Sequence, residues 1–394
     1  MSKKILFISH DASATGAPIL LLNFMQWLKE NTEIPFQILL KKGGQLEKEF
    51  QEIAPVWFYS PPTSPKNGLI DKSLKRLKLK SDKKDLKAYQ QSLFKKLAKE
   101  NIGLIYGNTM TVGDVLEYLS PLNCPVICHI HELEYSIRYA FGVKQFNKVK
   151  RYTKQFIGAS EAVKSNLVQN HNIPAETIET IYEFLPSYSH KKSSTNIEKE
   201  AICKQLQIPK NAKVICSSGS IIWRKSPDLF LLLARSVISK YTEYPVHFIW
   251  IGGPTKGSYF DQLWYDAEQL GIKEHIHFIG FQPNPLDYFK ACDIFTLVSR
   301  EDPYPIVCLE AASVGKPIVC FDGAGGEKEF VEDDSGFVVP YLDVEMMATK
   351  IVKLLECPEL SKQFGQQARQ KVEQRHNLDV TGAKLLKVIN DFDM

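Results

Sequence analysis

Two carboxylates, Asp302 and Glu310, flank a Pro-rich turn in the stretch Ser299-Arg300-Glu301-Asp302-Pro303-Tyr304-Pro305-Ile306-Val307-Cys308-Leu309-Glu310. The apolar run after the turn reads as a helix. It begins near Pro305, where a missing N–H has no partner to lose, and stops near Gly315, just before Lys316-Pro317. Such a helix start leaves the N–H groups of Ile306 and Val307 free and carries partial positive charge, which suits an anion such as a diphosphate. One carboxylate in the turn and another a helical turn inside would hold hydroxyls on either side of that phosphate. A sugar, a diphosphate and a ribose in line have this layout.

Other segments carry chemistry of the same kind. Gly219-Ser220-Ile221-Ile222-Trp223-Arg224-Lys225-Ser226-Pro227-Asp228 puts two cations at a predicted helix start. The helix dipole disfavours cations there, so Arg224 and Lys225 point to an anionic ligand rather than to a solvated pair. Ser13-Ala14-Thr15-Gly16-Ala17-Pro18 follows the first apolar run. Gly16 lets backbone approach a ligand, or the segment is a plain turn into a helix. Asn108 ends another apolar run, and His129-Ile130-His131-Glu132 ends the next. On a strand, residues 129 and 131 share a face, so the spacing permits a metal pair. No third ligand is evident, and zinc wants three or four. Asp391-Phe392-Asp393 has the letters of a cation-binding Asp-x-Asp but lies at the C-terminus, past any strand end. No metal site is expected.

The elements that must position these residues are short. Apolar, often β-branched runs at 5–9, 36–40, 56–59, 104–108, 126–131 and 156–160 alternate with helical patterns, and a second set follows at 214–219, 246–252, 276–280, 294–299, 317–322 and 336–340. Continuous apolar strands separated by helices predict parallel sheets covered on both faces, and two sets predict two doubly wound α/β domains. The expected division is 1–186, a polar linker at 187–200, 201–375, and a final helical segment at 376–394. A length of 394 residues suits two domains, and 44% hydrophobic with 24% charged residues is ordinary for globular chains.

The net charge of +4 is too small to argue for nucleic acid. Residues 61–100 nevertheless hold twelve Lys/Arg against four acids, a local +8. This stretch is a solvated helical face or a contact with an anionic membrane. The eight cysteines contain no C-x-x-C pair and mostly sit in apolar runs, which reads as free thiols in a reducing compartment. The apolar run at 5–9 is too short for a signal peptide core, and no run approaches a membrane span. A cytoplasmic protein is expected, with peripheral attachment to the inner face of the membrane left open.

The Asp302–Glu310 segment resembles the signature of family 4 retaining glycosyltransferases (glycosyl transferases group 1), a Glu, seven residues, then a Glu, with Asp302 in the first position. The loop at 219–228 is similar to that family's Gly-Arg, four residues, Lys-Gly, with Lys225 on the Lys and Ser220 where the Arg stands; Arg224 would supply the second charge. Phe278-Ile279-Gly280-Phe281, Gly325-Gly326-Glu327-Lys328-Glu329 and Ser335-Gly336-Phe337 resemble further family loops, so the likeness covers roughly 200–375 densely. It implies the GT-B architecture, two Rossmann-like domains facing across a cleft, with the final helix crossing back to the first. The N-terminal domain would take the acceptor and the C-terminal one the sugar nucleotide. The implied roles are Asp302 and the backbone of Tyr304, Pro305, Ile306 and Val307 on the sugar and phosphates, Glu310 on the ribose, and Lys225 and Arg224 on the departing diphosphate. The backbone near Phe281 would read the base, Gly16 would approach the phosphates, and His131 would lie near the reacting sugar. The implied reaction moves a hexose from a nucleotide sugar, UDP-glucose favoured, to a glycan or lipid-linked saccharide in polysaccharide biosynthesis, without a metal or other cofactor. Three rivals remain: an epimerase of UDP-N-acetylhexosamine on the same fold, a non-catalytic sugar-nucleotide-binding protein, and an NAD-dependent oxidoreductase. Gly323-Ala324-Gly325-Gly326 argues weakly for the last, because the third glycine of its fingerprint would fall at Lys328.

Overall fold

The structure is a computed structural model that describes residues 2–61, 75–185 and 199–392, with the side chains of 75–84 outside the description. Most of the expected linker, the start of the basic segment, and Asp393 therefore lie outside the described residues. The chain folds into two compact units. The first is Met1–Ala159, Lys164–Ile181 and Gly382–Met394; the second is Ser160–Val163 and Tyr182–Thr381. The division after Ile181 falls a few residues before the expected 186, and the helix Leu378–Asn390 contributes residues to both units.

The first unit is built on a seven-stranded sheet, β1 (Lys4–Ser9), β2 (Phe36–Leu40), β3 (Val56–Phe58), β4 (Ile102–Asn108), β5 (Val126–Ile130), β6 (Gln155–Gly158) and β7 (Ile178–Thr180). Their order is β3-β2-β1-β4-β5-β6-β7, and every pair is parallel. Six of these strands match the expected runs. The three-residue β7 was not expected, because Ile178-Glu179-Thr180 is too short and too polar to stand out. Its Ile178 nonetheless pairs with Phe156. Each central strand is buried along its length, as the continuous apolar runs require. Gly382 lies against the Trp27 ring, where a Cβ would come within 2.7 Å of the indole. The last helix thus packs closely on the helix Gly16–Asn31.

The second unit has six strands, β8 (Lys213–Ser218), β9 (Val246–Ile251), β10 (Ile276–Phe278), β11 (Ile294–Leu297), β12 (Ile318–Phe321) and β13 (Gly336–Val339). They run parallel in the order β10-β9-β8-β11-β12-β13. Phe230, Phe248 and Trp250 meet edge-to-face in its core. The chain leaves β8 toward one edge and later returns to place β11 on the other side of β8. Loops after β8 and β11 diverge at such a reversal and leave a crevice at the carboxyl ends of the strands. The same reversal occurs between β1 and β4 in the first sheet.

All eight cysteines are free, six of them buried. Among the described residues no helix is long and apolar enough to cross a membrane. The described end of the basic segment lies in the helix Lys75–Leu97, where Leu93 and Leu97 are buried and Lys87, Lys95 and Lys96 are exposed. That part is an amphipathic surface helix.

Candidate functional site

In the second unit the loop after β8, the turn after β11 and the loop after β12 converge at the reversal of strand order. Trp223–Lys225 forms a 3-10 turn, and Ser226 at φ 59 reverses the chain into the helix Pro227–Lys240. Arg300 fastens this loop to the β11 turn. Its N–H donates to the Arg224 carbonyl at 2.9 Å, and its guanidinium grips Asp228 at 2.9 and 2.6 Å. Arg224 reaches back and donates to the Glu301 carbonyl at 2.7 Å.

Asp302 sits at the centre of this arrangement. Its carboxylate accepts from Lys225 Nζ and, at 3.2 Å, from Ser299 Oγ; Arg224 Nη1 stands 3.6 Å from its other oxygen. Burial alone would raise the pKa of this carboxyl, but Lys225 and Arg224 hold it below the ordinary Asp value. Two cations face one carboxylate, so the cluster keeps one surplus positive charge. That charge lies near the start of the helix Ile306–Ser313, which has no side-chain cap and no acid in its first turn. The N–H groups of Ile306 and Val307 begin that helix and have no partner inside it.

Glu310 lies one turn inside the same helix. It is buried, and no described side chain pairs with its carboxylate. Loss of water raises its pKa from 4.5 to about 7. The carboxylate needs hydroxyl or N–H donors, and its side chain tilts toward the helix start where an anion would sit.

The backbone lets the turn and the β12 loop touch. Asp302 and Gly325 form an isolated parallel bridge, with the Asp302 N–H donating to the Ala324 carbonyl at 2.8 Å. A Cβ on Gly325 would fall 1.6 Å from the Asp302 carbonyl oxygen. Gly325→Ala is therefore expected to part the two loops, destabilise the protein by about 3 kcal/mol or more, and displace Asp302. A melting temperature within a degree of the wild-type protein would contradict this close approach. Glu327 follows in this loop, buried, with neither carboxylate oxygen partnered among the described residues.

Tyr304 turns its side chain away from the helix start. Its hydroxyl meets His376 Nε2 at 3.2 Å, and its ring packs on Tyr182. Phe281 is 77% exposed at the end of the loop after β10. The structure brings Asp302, Lys225 and Arg224 into contact and places Glu310, Pro305, Ile306 and Val307 on the adjoining helix. Sequence reasoning missed Ser299, Arg300 and Asp228. Ser299 could have been found from its place just beyond a strand end, whereas the pairing of Arg300 with Asp228 has no local signal.

In the first unit, His131 Nε2 lies 2.8 Å from Asn108 Oδ1. The Asn108 amide nitrogen donates to the Ala17 carbonyl at 3.0 Å, so its oxygen must accept from His131. This chain ties the ends of β4 and β5 to the first turn of the helix Gly16–Asn31, with Gly16 exposed at its start. Glu132 is buried and accepts the N–H groups of Met110 and His131 at 3.2 and 3.0 Å. It orients the loop rather than facing a ligand. His129 is buried beside His131, with Nδ1 against the Tyr106 hydroxyl at 2.9 Å.

Comparison with known proteins gives this geometry a context. Residues 198–371 match the family described as Glycosyl transferases group 1. A D-inositol 3-phosphate glycosyltransferase of Corynebacterium urealyticum is 30% identical over 157 residues, 39% of this chain and 37% of that protein. The match thus spans well under half of that relative's length. The UDP-Gal:alpha-D-GlcNAc-diphosphoundecaprenol alpha-1,3-galactosyltransferase of Escherichia coli is 22% identical over 339 residues, 84% of this chain and 82% of that protein. Among solved structures, Anabaena HepE in complex with UDP and glucose superposes with a TM-score of 0.79 at 20% identity, over 99% of this chain and 100% of that one. At that identity the likeness shows the fold. Residues 198–371 are thus similar to the group 1 glycosyl transferases, and the chain has a GT-B fold.

Proposed function

We propose that the protein is a family 4 retaining glycosyltransferase that moves a hexose from a UDP-sugar, UDP-glucose favoured, to a glycan or lipid-linked saccharide during polysaccharide or glycolipid assembly. One observation carries this reading: an uncapped helix start beside the Lys225–Asp302–Arg224 cluster, with the unpaired Glu310 carboxylate one turn inside. The diphosphate takes the N–H groups of Ile306 and Val307 and the surplus positive charge. Glu310 accepts the ribose hydroxyls, Asp302 accepts a sugar hydroxyl, and the loop at Phe281 meets the base. His131, held by Asn108, serves the sugar in the family's manner.

As the bond from the sugar's anomeric carbon to the diphosphate oxygen breaks, negative charge grows on the β-phosphate. Lys225 and Arg224 stabilise it, which a divalent metal does in many other transferases. The acceptor hydroxyl adds on the same face of the sugar, and its proton passes to the departing phosphate oxygen. The UDP-sugar in the Escherichia coli protein's name and the UDP bound in the Anabaena structure support a UDP-sugar donor. The exposed Lys87, Lys95 and Lys96 would hold a lipid-linked acceptor's membrane close, readable as salt-sensitive cosedimentation with anionic vesicles and refuted by its absence at low salt.

The test is proton NMR of the protein with UDP-glucose, UDP-galactose and UDP-N-acetylglucosamine in EDTA, with a saccharide acceptor. The proposal predicts UDP release and a product with the donor's anomeric configuration. Inversion, or turnover only with added metal, would overturn those parts of it.

A further inference from the structure

Glu327 is the group that the donor-site reading leaves unused. It is 1% exposed, and neither carboxylate oxygen has a hydrogen-bond partner among the described residues. An ionised carboxylate offers about four acceptor sites, and burying it with none filled is prohibitive, whereas the protonated acid is far cheaper to bury. The carboxyl lies behind the Asp302 turn, since its Oε2 is 3.0 Å from the position a Cβ on Gly325 would take, and Gly325 bridges Asp302. Asp302 and Lys225 face it from their two loops. The Cys308 thiol faces it from the helix Ile306–Ser313, the Cys320 thiol from β12, and Glu329 from its own helix. Burial first, and the Asp302 charge second, push its pKa well above the usual carboxylate range.

Arg224, Lys225 and Asp302 together leave one positive charge for a diphosphate. A neutral Glu327 preserves that surplus and an ionised one cancels it. We propose that Glu327 is a neutral carboxylic acid at the back of the donor site, and that its ionisation at alkaline pH cancels the surplus positive charge and weakens the hold on the diphosphate. The inference rests on the donor-site reading above and adds to it a pH limit set by a positioning residue.

The test is UDP affinity by calorimetry from pH 7.5 to 9.5, for the wild-type protein and Glu327→Gln. The phosphates are fully ionised across that range, their last proton leaving near pH ~6. Gln keeps the shape of the neutral acid and has no proton to lose. Wild-type affinity should fall by roughly tenfold across the range, and the variant's affinity should stay level. Equal falls in both proteins, or level affinity in both, would overturn the inference. Absence of UDP binding by either protein at any pH removes the donor reading itself, and this inference with it. If Glu327→Gln does not fold, the carboxylic acid C=O band in infrared difference spectra of the wild-type protein replaces it. Loss of that band in step with UDP affinity supports the inference; no protonated buried acid at pH 7.5 overturns it.

Discussion

Glu310→Gln is expected to be more stable than the wild-type protein at pH 8 and to bind a nucleoside diphosphate about ten- to hundredfold more weakly. Burial raises the Glu310 pKa from 4.5 to about 7. A carboxyl raised on folding imposes no penalty below its unfolded pKa. The penalty grows as pH rises toward the folded value and is complete above it. At pH 8 it is of order 3 kcal/mol, and Gln escapes it. At pH 4 the two proteins should melt alike. Binding moves the other way, because the ribose hydroxyls lose a charged acceptor, worth about 1.5–3 kcal/mol. The same titration makes wild-type UDP affinity climb as pH rises through about 7. Melting curves at pH 4 and 8 with UDP affinity at pH 8 check the pair. A variant no more stable than wild type at pH 8 would show that Glu310 is already satisfied and has no vacancy for a ribose.

Lys225→Ala should lower turnover by about a hundred- to a thousandfold, the usual loss when one donor to developing charge is removed. It should also destabilise the fold by about 3–5 kcal/mol, because it leaves the buried Asp302 carboxylate with the Ser299 hydroxyl and a single cation, Arg224 at 3.6 Å. Asp302 is depressed below its usual pKa against the pull of burial, so the stability it contributes is present above the ordinary Asp range and is lost as pH falls through the folded value. Denaturant unfolding at pH 7 should therefore separate the two proteins, and the gap should close as pH falls through the folded value. Adding Asp302→Asn to Lys225→Ala should recover stability without recovering turnover. A double variant as unstable as the single one would mean that Lys225 acts by packing rather than by charge.

Much of this was legible in the chain. The continuous apolar runs announced both parallel sheets, because strands covered on both faces leave no polar positions. Asp302, Glu310 and Lys225 stood out since a carboxylate or cation next to a helix start has a physical meaning that does not depend on distant residues. What stayed hidden depends on distance. Glu327 reads locally as an ordinary first-turn acid, which helix starts favour. Only the fold shows that it is buried behind Asp302 without a hydrogen-bond partner among the described residues. The place of Glu132 just past a strand end does not show that its carboxylate accepts two backbone N–H groups and closes a loop. Tyr304 likewise turns into Tyr182 and His376, more than 70 positions away in sequence in each direction, and no periodicity predicts such a contact.

The most direct test of the donor site is a calorimetric titration of UDP in EDTA into the wild-type protein, Glu310→Ala and Lys225→Ala. The account predicts saturable binding of one UDP by the wild-type protein without metal, weakened at least about tenfold in each variant. Undiminished affinity in both variants, or wild-type binding that appears only when a divalent metal is added, would contradict it.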